Sequence, residues 1–279
     1  MRNAVSETKA KRAARMLQEV LEIKKERRPK IGIVLGTGWG DAITWKDERR
    51  TSLTRLPWFK EIGQLEGHAR EVVYGHMEGA DVIALRGRIH LNEAPPTHAD
   101  LFTWVRLQVE MLFNLGVETI ILTAAAGSLK ASVMIGDMVT VDGFVTLFSP
   151  DMPLYAGEFC SPEDTLDPHL QTLSRKIVLS VTGKAPTGGH AILRGPFFEG
   201  RKYDKPLLMA SGASTVGMSI VPEACIAALY GVRVLALTFI TNDAVEIHSH
   251  EVNQARAREK SADMGAVLHA LIRELSAVR

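Results

Sequence analysis

The chain has 279 residues, of which 46% are hydrophobic and 23% charged, an ordinary balance for a globular protein with a large core, so disorder is expected only at the ends. With 33 basic and 32 acidic residues the net charge is +1, so no overall field draws nucleic acid or an anionic membrane, and an anionic ligand must be held locally. Cys160 and Cys225 are too few and too far apart in sequence for a disulfide framework or metal knuckle, and no signal-peptide core or membrane-length apolar run is seen, so the expected setting is a reducing cytoplasm.

One α/β domain spanning 1–279 is expected, because folds of this class often reach about 250 residues undivided. Ser6–Arg28 reads as an amphipathic helix, within an N-terminal segment 1–29 that Pro29 ends. Ala13, Met16, Leu17, Val20 and Leu21 lie near one face, and acids interrupt the lysines and arginines of the other, which suits a solvated outer face. Ile31–Leu35 reads as a buried strand running into Gly36-Thr37-Gly38-Trp39-Gly40. Neither the dinucleotide fingerprint nor the Walker loop is satisfied there, so the turn indicates either a small-anion cradle or a structural turn, with equal weight.

Gly67-His68-Ala69-Arg70 precedes an alternating strand from Glu71 to Tyr74, a turn near Glu78–Asp81, and a strand Val82–Leu85. The latter runs on into Arg86-Gly87-Arg88-Ile89-His90-Leu91-Asn92-Glu93, where a period of two would put Arg88 and His90 on one side. Arginine is the best planar partner for phosphate, and histidine adds a titratable donor. His98–Leu115 is an amphipathic helix capped by Gly116, and Val117–Leu122 a buried strand. The small residues Thr123 to Ser128 read as a loop that would let a ligand approach the backbone.

Gly136-Asp137 turns the chain into a strand Met138–Val141. Residues 146–169 carry four prolines and no period, the mark of a lid or a subunit contact. A helix near Leu170–Ser180 and a glycine-rich link lead to Arg194-Gly195-Pro196-Phe197-Phe198-Glu199, two aromatics and an acid suited to a heterocyclic base or, for the aromatics, to the core. Gly217-Met218-Ser219 stands before a helix opened by Pro222 and Glu223 and stopped by Gly231; Ser219 either caps that helix or helps to hold an anion there. The apolar run Val232–Ile240 reads as a central strand ending in Thr241-Asn242-Asp243, where α/β sheets bind ligands. A long helix runs from His250 to the end, with Val267, Leu268, Leu271, Ile272 and Leu275 facing the sheet.

Taken in order, LGTGWG, EGHAR, RGRIH, TAAAGSL followed by GD, GPFFE, VGMSIVPEA, ITND and SHEV resemble the trimeric purine nucleoside phosphorylases from residue 30 onward. The resemblance implies one twisted mixed β-sheet surrounded by helices, a homotrimer, and reversible phosphorolysis of purine nucleosides to free base and ribose 1-phosphate. Inorganic phosphate would be a substrate, with no metal or organic cofactor. It implies that Thr37, His68, Arg88, His90, Ser219 and the backbone N–H of Ala125 hold phosphate, that Met218 covers the sugar and His250 bonds its 5′-hydroxyl, and that Phe198, Glu199 and Asn242 bind the base. His90, Glu199, Asn242 and His250 would carry the catalysis. An aromatic from a neighbouring subunit, Tyr155 or Phe159, would close each site.

Three positions depart from the family pattern. Asn92 and His190 stand where tyrosines near the ribose are common, and Ala124 where an asparagine is usual. Activity is expected, with an altered rate or sugar preference. Glu199 with Asn242 implies a preference for 6-oxopurines, since an ionised glutamate accepts from N1–H of guanine or hypoxanthine and would face a lone pair in adenine. Asp243, turned inward in place of Asn242, would invert that preference. The alternatives are a methylthioadenosine phosphorylase, which usually lacks the acid of GPxFE and carries aspartate at the Asn242 position, and a non-catalytic purine-binding relative.

Overall fold

Successive side chains of a strand point to opposite faces, so a strand buried throughout needs helices on both sides. β1 (Ile31–Leu35) is buried at every residue. Ile31, Ile33 and Leu35 join the apolar cluster on one face and Val34 the cluster on the other. The computed structural model describes residues 4–277 apart from 64, 66, 67, 92, 94–97, 148–157, 194–199, 201 and 244–249; in the helical stretches 4–8, 98–100 and 250 it describes the backbone only.

β1 pairs in parallel with β4 (Ala80–Arg86) and β5 (Thr119–Ser128), and β5 in parallel with β9 (Arg233–Asn242). Four adjacent strands thus end on one edge, the carboxyl edge along which α/β sheets place ligands. Beyond β4 the sheet continues antiparallel through β3 (Glu71–Met77) to β2 (Lys46–Ser52) at its margin. On the other side β5 pairs with β8 (Thr215–Gly217), β8 with β7 (Thr187–Ile192), β7 with β6 (Met138–Val145), and β6 with β9. Since β9 already pairs with β5, these five strands close into a ring, and all nine form one sheet.

α1 (Ala4–Val20), α2 (His98–Leu115) and α5 (Val221–Leu229) cover one face. α3 (Pro168–Thr182), α6 (His250–Glu259) and α7 (Ser261–Ala277) cover the other, where Val267, Leu268, Leu271 and Ile272 are fully buried. α4 (Asp204–Ala210) packs Leu208 against the ring beside Ala191 and Val216.

Several elements differ from the sequence expectation for identifiable reasons. The N-terminal helix stops at Val20, because Glu22 takes a left-handed conformation (φ 48°) and the Ile23 N–H reaches back to the Gln18 carbonyl at 2.8 Å, a closing turn that buries Ile23. Residues 123–128 are strand and not loop, since β9 and β8 supply ladder partners as far as Gly127 and Ser128. The glycine-rich link is β7, held between β6 and β8. The C-terminal helix breaks at Lys260 into α6, which follows β9, and α7, which follows α3 and the β3–β4 hairpin.

The turn after β1 is pinned by α6. Gly38 has φ 82°, and a Cβ there would lie 2.2 Å from the Ala257 Cβ. Gly38→Ala should cost about 2–4 kcal/mol, from the left-handed backbone and forced overpacking together. Adding Ala257→Gly should recover part of that loss in urea denaturation, whereas strictly additive effects would show that the contact is not the cause.

Candidate functional site

β5 pairs with β1 only as far as Leu122 but with β9 as far as Gly127, so the next stretch of β5 is met by side chains and a turn instead of a strand. The Gly36 N–H donates to Thr123 Oγ1 at 3.1 Å, Thr123 Oγ1 donates to the Val34 carbonyl at 2.9 Å, and the buried Trp39 donates its indole N–H to the Ala124 carbonyl at 3.2 Å. These bonds fold the turn against β5 and bring Thr37, half-buried, to the carboxyl edge.

Arg88 sits in the same gap. β4 ends at Arg86 and Gly87 turns the chain at φ 80°, so Arg88 and His90 do not share a strand face as the period of two suggested. Arg88 is only 1% exposed. Its Nη2 donates to the Thr123 and Val34 carbonyls, and its Nη1 lies 3.1 Å from Glu223 Oε1 in the first turn of α5. Nη1 and both Glu223 oxygens nevertheless make no hydrogen bond of proper angle, so the pair is matched in charge with donor and acceptor capacity unspent. Burial pulls the guanidinium below its usual pKa and Glu223 opposes that pull.

His190 is fully buried beside them. Its Nδ1 is 2.9 Å from Thr215 Oγ1, and its Nε2 has no hydrogen-bond partner. Burial, with help from the Arg88 charge and against the Ser219 backbone, pushes it down to about 4, so the ring is neutral. A Cβ on Gly217 would stand 3.1 Å from His190 Cε1 and 3.6 Å from the Ala125 carbonyl, which puts β7, β8 and β5 in contact at this point.

Ser219, 8% exposed, does not cap α5. The cap position is Ile220, at φ 75° and ψ −57°, with no side-chain bond. The Val221 N–H bonds the Ser219 carbonyl at 3.0 Å, closing a three-residue turn of the strained, positive-φ kind on a β-branched residue. Backbone strain of this sort concentrates at working sites. Met218, half-buried, precedes it.

His68 and His90 meet edge to face, ring centroids 4.7 Å apart. Glu93 holds His90, accepting its backbone N–H at 2.7 Å with the ring Nδ1 at 3.3 Å. Arg70 joins this system to the first, donating to Glu93 and to the Arg88 carbonyl. Burial alone would raise Glu93, but the bonds from His90 and Arg70 outweigh it and bring the carboxyl down to about 2.

Asn242, 2% exposed, ends β9 opposite Gly127, two residues past Ala125. Its amide donates to the Asp243 carbonyl at 3.3 Å and its Oδ1 receives the Thr241 hydroxyl at 3.2 Å. Phe198, Glu199, Asn92, Tyr155 and the His250 side chain lie outside the described residues. The structure thus gathers Arg88, His190, Ser219 and Ala125, pairs His68 with His90, and sets Thr37 and Asn242 on the same edge. Sequence reading missed Glu223 as the partner of Arg88, and Glu93 with Arg70 as the support of His90. The signal was available for Glu223, the single charge in VPEACIAAL. Among the described residues no helix is long and apolar enough to cross a membrane, and no cluster of three His, Cys, Asp or Glu side chains could hold a metal.

Residues 30–274 match the family model described as the phosphorylase superfamily. Purine nucleoside phosphorylase 1 of Bacillus subtilis is 29% identical over 258 residues, 89% of this chain and 92% of the relative. The Bos taurus purine nucleoside phosphorylase is 29% identical over 232 residues, 79% of this chain and 78% of the relative. Among solved structures, Schistosoma mansoni purine nucleoside phosphorylase in complex with adenosine superposes with a TM-score of 0.82 at 25% identity, covering 95% of this chain and 96% of that one. Isoform 2 from the same organism, in complex with cytosine and ribose-1-phosphate, gives 0.81 at 25%, covering 96% of each.

The depressed Glu93 sets a pH dependence. A carboxyl whose folded pKa lies near 2 against an ordinary 4.5 contributes stability that is present above pH 4.5 and lost as pH falls toward 2. Glu93→Gln should therefore cost about 3 kcal/mol near pH 7, and the gap to the unmodified protein should shrink steadily in acid. A gap independent of pH would show that the Glu93 carboxyl is not depressed in the folded protein.

Proposed function

The chain belongs to the phosphorylase superfamily, and from that premise we propose that it catalyses the reversible phosphorolysis of purine nucleosides, with inosine and guanosine preferred to adenosine. Phosphate attacks the anomeric carbon as the bond to the purine loosens, giving ribose 1-phosphate and free base. No metal or organic cofactor takes part. One catalytic domain spans 1–279 and works in the cytoplasm.

The observation that carries the phosphate reading is the unspent hydrogen-bonding capacity of Arg88. Nη1 is a buried donor without a hydrogen bond, 3.1 Å from Glu223 Oε1, and the neutral His190 lies near enough to feel the Arg88 charge. A phosphate oxygen would receive a charge-assisted bond there, the strongest kind a protein offers an anion. Thr37, the Ala125 backbone N–H, His68 and His90 complete the anion site. Held so, phosphate stabilises the positive charge that builds on the sugar while it attacks, and catalysis is chiefly positional and electrostatic.

Met218 covers the ribose and His250 bonds its 5′-hydroxyl. Phe198 stacks on the base, Glu199 accepts from N1–H, and Asn242 donates to the leaving purine at N7 or O6. Two structural facts favour Asn242 over Asp243 in that role: it is buried at the strand end, and among the described residues its amide donates only to the adjacent carbonyl, at 3.3 Å. The chain keeps both the acid of GPxFE and this asparagine, which weighs against methylthioadenosine as substrate. We infer a homotrimer in which Tyr155 or Phe159 reaches the neighbouring site; Phe159 is 79% exposed and Leu147, at the other end of the segment, 89%.

Removing Arg88 alone would strand the Glu223 carboxylate and confound binding with folding. The paired variant Arg88→Met with Glu223→Gln avoids this. It should stay folded while the KM for phosphate rises about 10- to 100-fold, the value of one or two lost charge-assisted bonds; an unchanged phosphate dependence would overturn the anion site.

For the base, kcat/KM for inosine should exceed that for adenosine by roughly a hundredfold, because adenine leaves Glu199 facing a lone pair. Asn242→Asp should shift the ratio toward adenosine. Equal use of both nucleosides by the unmodified protein would refute the base assignment, and absence of phosphate-dependent base release from any purine nucleoside would refute the activity.

A further inference from the structure

The two cysteines are 65 residues apart in sequence, yet their Sγ atoms lie 2.9 Å from each other. Cys225 is on α5, two residues after Glu223, and Cys160 is in the segment that leads to α3. Both thiols are free and partly exposed. We propose that Cys160 and Cys225 form a reversible disulfide by exchange with low-molecular-weight disulfides, tying the segment around residue 160 to α5 when the surroundings become oxidising.

The surrounding groups suit such an exchange. Sulfur at this separation needs to close by less than 1 Å to bond, since a disulfide spans about 2.05 Å. Glu158 is clamped to Arg106 of α2 at 2.8 Å, and Arg106 also holds Glu110 at 2.5 Å, so the strand of chain bearing Cys160 is docked on the helices with its thiol already facing Cys225. Tyr230, one residue past α5, closes the same system by donating to Glu110 at 2.5 Å. The hydrogen bond from Cys225, aided by Thr165 and opposed by burial, brings Cys160 down to about 7, whereas Cys225 is raised by donating that bond and by burial. Cys160 is thus the attacking thiolate and Cys225 the resolving thiol.

The steps balance. Cys160 thiolate attacks one sulfur of RSSR, forming Cys160–S–S–R and releasing RS⁻, which takes a proton. Cys225 then gives up its proton and attacks Cys160 Sγ, forming the internal bond and releasing a second RS⁻, which takes that proton. Two protein thiols are oxidised and one RSSR is reduced to two RSH. In a cytosol the bond would be transient, which is the usual character of disulfides there.

The chain has no other cysteine, so its thiols report this pair alone. The full-length protein is equilibrated with mixtures of reduced and oxidised glutathione, quenched with acid, and labelled with an alkylating reagent after unfolding. With rising oxidised glutathione the unmodified protein should lose both labels together, its intact mass falling by two hydrogens and no glutathione remaining attached. Cys225→Ser should instead stop at a stable adduct of one glutathione on Cys160. The oxidised protein should melt several degrees higher and exchange the amides of residues 158–167 at least tenfold more slowly than the reduced form. Two labels retained throughout, or a glutathione adduct as the end state of the unmodified protein, would overturn the proposal, as would unchanged exchange in that segment. None of these readouts depends on phosphorolysis.

Discussion

A guanidinium cannot leave water without compensation, and the architecture around residue 88 is arranged by that constraint. Arg88 is buried and held by groups from three elements: its Nη2 bonds the Val34 carbonyl at the end of β1 and the Thr123 carbonyl where β5 outruns β1, and its charge is matched by the Glu223 carboxylate at the start of α5. Removing any one leaves a charge in a medium that tolerates none, at a typical cost of 3–5 kcal/mol for the carboxylate. β5 must therefore run on past the end of β1, and α5 must begin beside the gap that this leaves. Arg70 extends the same logic outward, since it fixes the Arg88 carbonyl and, through Glu93, the ring of His90.

What was legible in the sequence followed from the hydrophobic pattern. β1 and α2 occur at the expected residues because each is apolar on the faces its neighbours cover, and β9 is longer by its two polar end residues for the same reason that β5 is longer: their mutual ladder continues past the apolar run. β2, with KDERRTS, and β7, with TGGHAI, carry no such pattern and exist because adjacent strands offer hydrogen bonds. Tertiary pairing overrides local preference at such places. The site was legible as a set of motifs, and Glu223 was visible as the lone charge of its helix, yet the partners of the supporting charges were not. Glu223 reads locally as a helix-dipole residue, and only the fold shows that it answers Arg88.

The departures from the family pattern take physical form in the structure. His190 is neutral, fixed through Nδ1 to Thr215, and presents a polar nitrogen without adding charge next to Arg88. Ala124 is buried in the same apolar cluster as Ile220 and Ala224, so a methyl stands in the core where the family usually has an amide. At the strained turn the Ile220 side chain is fully buried, which resists relaxation of the backbone.

Closing β5, β8, β7, β6 and β9 into a ring removes most of the margins at which a sheet recruits foreign strands, and among the described strands β2 alone lies at an open border. That border is lined with Lys46, Asp47, Glu48, Arg49 and Arg50, and only Thr51 of its seven residues is buried. The polarity that hid β2 from a reading of hydrophobic periodicity also makes it a poor template for another chain, since a partner would have to align against alternating charges. Among the described strands, the one ladder left open is thus guarded by the same side chains that gave no hint of a strand.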